Sequence, residues 1–108
     1  MKYDPIDTLE KAAVMVNQTY DLQADFSVTI DGPTALLKLR SPKLLWTIKY
    51  AVFLYYFDDD PRHDDDWKET DKAAGIQNIT GFNKVFLRLV YQISHDCYDA
   101  RRERSGRL

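Results

Sequence analysis

Apolar side chains recur at spacings of three and four between Thr80 and Arg104. Phe82, Val85, Phe86, Leu89, Val90, Ile93 and Cys97 trace one face of an α-helix. At 100° per residue they span an arc of roughly 140°, enough for a core-facing stripe. Leu87, Tyr91, Ser94 and Tyr98 adjoin that stripe, which leaves the polar set Lys84, Arg88, Gln92, His95 and Asp99 only about 80°. Such a helix is covered on more than one side, either by the core or by an interface.

Earlier in the chain the pattern predicts a helix, a hairpin, a buried apolar helix and a short helix. Asp4-Pro5 is a helix start, with Asp4 as N-cap, Pro5 in the first turn and Asp7 at the positive end of the dipole. Ile6, Leu9, Ala13, Val16 and Tyr20 form its stripe, giving a helix over 5–20 with Lys2, Glu10, Lys11 and Gln18 in water. From Asp25 the period changes to two. Phe26, Val28 and Ile30 alternate with Ser27 and Thr29, Asp31-Gly32-Pro33-Thr34 signals a turn, and Leu37 and Leu39 oppose Leu36, Lys38 and Arg40, so 26–40 reads as a β-hairpin. Ser41-Pro42 then caps a buried apolar helix running to Phe57, with a strand as the alternative because Trp46 to Phe57 is rich in β-branched and aromatic residues. A loop over 58–66, a short helix over 66–74 stopped by Gly75, and the long helix with Thr80 as N-cap complete the chain. The fold class is α+β: N-terminal helix, β-hairpin, buried apolar helix (or strand), short helix, long C-terminal amphipathic helix.

A length of 108 residues predicts one small globular domain over 1–108, with 105–108 as a frayed tail. The single cysteine excludes an intramolecular disulfide, and the first residues lack an apolar run before a small-residue cleavage site. The expectation is a cytoplasmic chain. The most apolar run, 44–57, is too short for a membrane span and carries Lys49. Net charge is -2, but six aspartates lie between Asp58 and Asp66 while Arg101, Arg102, Arg104 and Arg107 crowd the end of the chain.

The acidic stretch Asp58, Asp59, Asp60, Asp64, Asp65 and Asp66 is the least ordinary composition in the chain. It fits no EF-hand, since the Asp-x-Asp-x-Asp-Gly spacing and the closing glutamate are missing. A solvated loop is the plain reading. The functional one is a docking surface, because clustered carboxylates steer a basic partner. A metal-dependent enzyme using the Asp cluster is an alternative. His95-Asp96-Cys97 does not make a nucleophilic pair, because Cys97 lies on the apolar stripe and His95 on the polar face, and four scattered glycines form no phosphate-binding loop.

Arg101, Arg102, Arg104 and Arg107, with Lys38, Arg40 and Lys43, define a nucleic-acid-binding alternative, against which the pI of about 5.6 counts. At a helix C-terminus the arginines also suit the dipole. Leu87, Tyr91 and Tyr98 are candidates for homodimerisation or partner capture. The functional expectation is a small non-enzymatic protein-binding module without a cofactor, such as an inhibitor or regulator of phage or immunity type, docking a basic protein through the acidic loop.

Overall fold

The computed structural model describes residues 1–101 and is α+β. Arg102, Arg104, Arg107 and the tail 105–108 lie outside the described residues. Helix α1 spans Pro5–Tyr20, as the capping pattern predicts. The Asp4 carboxylate accepts from the N–H groups of Ile6 (2.9 Å) and Asp7 (3.2 Å), satisfying two orphan donors of the first turn. Asp4→Ala is expected to cost about 1 kcal/mol, read as a lower urea midpoint, with Asp4→Ser keeping most of the stability. Thr8, Leu9, Ala12, Ala13 and Val16 are the buried residues of α1, whereas Ile6 and Tyr20 are exposed. The core stripe is thus narrower than the apolar pattern, with the small Thr8 and Ala12 completing it.

The hairpin forms with β1 as Asp25–Asp31 and β2 as Thr34–Arg40 in antiparallel register from Asp25↔Arg40 to Asp31↔Thr34. Gly32, at φ +58°, makes the turn possible. The stretch after it corrects the preferred helix. Ile48–Phe53 is a third strand, β3, paired antiparallel with β2 to give the order β1-β2-β3. Ser41 does not cap a helix: its hydroxyl donates to the Leu22 carbonyl and accepts from Lys43 N–H, which fixes a turn. Period two then decides the element. Ile48, Tyr50 and Val52 stand opposite Leu39, Leu37 and Ala35, which pair in turn with Phe26, Val28 and Ile30, so these residues of the three strands share one face.

That inner face packs against α1 and against the last helix, α3, which spans Gly81–Asp99. Val85, Leu89, Ile93 and Cys97 of α3 are buried and Phe82, Phe86 and Val90 are partly buried, as the stripe predicts. Thr80 precedes the helix but its side chain makes no capping hydrogen bond, and Gly81 enters at φ +69°. The C-terminal end is earlier than the pattern suggests. After Ala100 the backbone bridges to Leu44 through Arg101, and Leu45 N–H donates to the Ala100 carbonyl at 2.7 Å. Between β3 and α3 lie two 3-10 turns, Leu54–Asp58 and Pro61–Trp67, and helix α2, Lys68–Ala74, closed by Gly75 at φ +70°. Among the described residues no helix is long and apolar enough to cross a membrane.

Candidate functional site

The acidic stretch is folded rather than a loop, and most of its charge is already spoken for. Phe57, fully buried, anchors the first 3-10 turn, and its carbonyl accepts from Tyr3 N–H at 3.0 Å. Asp58 accepts from Lys2 N–H at 3.1 Å. Asp59 turns the chain at φ +55° and sits between Lys84 Nζ (2.9 Å) and Lys2 Nζ (3.9 Å). The shorter of these is an ion pair without hydrogen-bond alignment. Asp60 caps the second 3-10 turn through Arg62 N–H and receives the Arg62 Nε and Nη2 donors at 3.0 and 2.7 Å. Those hydrogen bonds pull its carboxyl down to about 2.

Asp64 shares Lys84 (3.3 Å) with Asp59 and also faces Arg88 (3.5 Å) of α3. Arg88, assigned by periodicity to the wet face, is 5% exposed and forks onto Asp71 of α2, Nε to Oδ1 at 2.8 Å and Nη2 to Oδ2 at 2.6 Å. Burial alone pulls the Lys84 ammonium down, and Asp59 and Asp64 more than offset it, so its pKa is raised. Cations of α3 therefore hold the acidic turns from beneath. Asp65 and Asp66 face outward: the Asp66 carboxylate accepts from the Tyr56 hydroxyl at 2.7 Å and lies 3.8 Å from His63 Nδ1, while the Asp65 carboxylate has no partner among the described residues.

Beside them runs a cluster of rings, of which Phe53, Tyr55 and Tyr56 fall in the stretch that the sequence pattern assigned to a buried helix, while His63 and Trp67 come from the expected loop and short helix. Phe53, on the outer face of β3, lies parallel to Tyr55 with centroids 5.1 Å apart, and Tyr55 stacks on His63 at 4.3 Å. Tyr56 meets Tyr55 at 4.6 Å and turns its ring edgewise to Trp67 at 5.1 Å. Trp67 is buried, covered also by the Arg88 guanidinium at 5.4 Å, whereas Phe53 and Tyr55 remain 44% and 40% exposed. The signal that reveals this set is the alternation of β3. With Ile48, Tyr50 and Val52 inward, Phe53 must point out, and the chain turns immediately afterwards.

The remaining candidates do not join this surface through the acidic turns, which meet α3 at Lys84 and Arg88. Leu87 and Tyr91 are half-buried on the outer strip of α3, and Tyr98, farther along it, is exposed and carries the Arg101 guanidinium 4.0 Å from its ring. Of the basic alternative, Arg101 is exposed, Arg40 lies 4.0 Å from Asp25, and Lys43 is bonded to the Asp21 carbonyl. Among the described residues no group of three or more His, Cys, Asp or Glu side chains is arranged to hold a metal ion. Cys97 is buried, and burial, then Asp96, pushes its thiol up to about 11, the opposite of an activated nucleophile.

Comparison with protein-family models, with curated proteins and with solved structures gives no match. The functional reading therefore rests on the geometry of the aromatic and acidic surface.

Proposed function

We propose that the protein is a non-enzymatic protein-binding module, acting as an inhibitor or regulator, that docks a basic segment of another protein on the surface formed by Phe53, Tyr55, His63, Asp65 and Asp66. One observation carries this reading: the Phe53, Tyr55 and His63 rings are held in a stack, half-exposed, beside outward carboxylates. Rings and carboxylates complement an arginine in two ways at once, the ring faces through cation–π attraction and the carboxylates through charge-assisted hydrogen bonds. Because the rings are stacked beforehand, docking a partner there costs little side-chain entropy. Asp58, Asp60 and Asp64 extend the negative field that would steer the encounter, although their own carboxylates are engaged internally.

The test is a titration with a short arginine-rich peptide at two salt concentrations. Tyr55→Ala should weaken binding about tenfold, the effect of one well-placed interface aromatic. Asp65→Asn with Asp66→Asn should weaken it and flatten its salt dependence. Equal affinity of the peptide for the wild type and for Tyr55→Ala would remove the proposal.

A further inference from the structure

A cavity of about 230 Å³ opens toward the other end of α3, where the C-terminal ends of α1 and α3 come together. Leu22 and the buried Cys97 supply its apolar lining, Tyr20 and Tyr98 expose their rings to it, and Ser94, Lys43 and Arg101 bring polar groups. We propose that this cavity is a binding site for a small aromatic carboxylate. A cavity of ~150 Å³ already takes benzene, so this volume suits one or two fused rings with a substituent.

The charge of the ligand follows from how the two cations are used. Lys43 is occupied: Nζ donates to the Asp21 carbonyl at the end of α1 and lies 3.4 Å from the Asp21 carboxylate. Arg101 is different. Its guanidinium rests on the Tyr98 ring at 4.0 Å and has no carboxylate within ion-pair distance among the described residues. Stacking holds the planar group in place while leaving its edge donors for a bidentate carboxylate. The Ser94 hydroxyl, with no protein partner among the described residues, offers a further hydrogen bond. An aromatic body satisfies the tyrosines, Leu22 and Cys97, and a carboxylate satisfies Arg101.

The site is separate from the aromatic and acidic surface, so it stands or falls independently of the proposed docking function. The probe is 2-naphthoate, titrated into the full chain by NMR and calorimetry beside its uncharged amide and the corresponding naphthylmethyl ammonium ion. The expected result is saturable binding of the carboxylate that shifts the resonances of Tyr20, Ser94 and Tyr98. The amide should bind about tenfold more weakly, the value of one charge-assisted contact. Arg101→Gln should erase that preference while retaining the far-ultraviolet circular dichroism of the fold, and Ser94→Leu, which fills the cavity, should reduce binding of both. Carboxylate and ammonium ions binding equally well, a preference unchanged in Arg101→Gln, or shifts confined to other residues would each overturn the assignment.

Discussion

Replacing Arg88 with alanine is expected to lower the stability of the fold by about 3 kcal/mol, the cost of removing one partner from a buried ion pair. The guanidinium holds both oxygens of Asp71, reaches Asp64 and covers the Trp67 ring. Its loss would leave the Asp71 carboxylate, only 14% exposed, without a counter-charge and would uncover the indole. In thermal unfolding this corresponds to a fall in Tm of about 12 °C for a domain of this size. Replacing both partners, Arg88→Met with Asp71→Leu, should recover most of the loss, because an apolar pair of similar volume carries no stranded charge. A double variant no more stable than Arg88→Ala would show instead that packing over Trp67, and not the stranded carboxylate, is the larger contribution.

Phe57→Ala is expected to cost about 4 kcal/mol, within the range for a fully buried phenylalanine. Phe57 occupies the point where the sheet ends and the first 3-10 turn presents Tyr55 and Tyr56 to the surface. The loss should therefore appear twice, as a lower urea midpoint and as a weakened near-ultraviolet signal from the ring stack. Phe57→Leu keeps much of the volume and should do less of both. An unchanged midpoint in Phe57→Ala would place the core elsewhere than beneath this turn.

The features that were legible in the sequence are those set by neighbours along the chain. Asp4-Pro5 specifies the start of α1 and Gly32 specifies the hairpin turn, because a cap and a left-handed residue act over a few positions. The stripe from Val85 to Cys97 was readable because one helical face meets one core. Two features were not readable, for different reasons. Ser41-Pro42 suits a helix start as well as a turn, and only the Leu22 carbonyl, brought near by α1, draws the Ser41 hydroxyl away from a cap. Arg88 is polar by residue type, so no periodicity places it inside; its burial depends on Asp71, supplied by another helix. The ring stack was hidden by the first of these errors, since a helix through 44–57 turns Phe53 and Tyr55 inward.

The acidic residues show why composition alone misleads about a surface. Six aspartates in nine positions suggest one solvated patch, yet Asp59 and Asp64 face inward to Lys84 and Asp60 is closed by Arg62. What distinguishes Asp65 and Asp66 is direction, which the turn geometry sets.

The single thiol, on the buried face of α3 and held protonated well above neutral pH, gives the molecule a built-in clock. Cys97 is 3% exposed at the wall of the cavity beside Leu22, so the rate at which a thiol-specific reagent labels it reports access through that cavity together with opening of the end of α3. The chain thus carries its own reporter of how closely the end of the helix that organises its core is held.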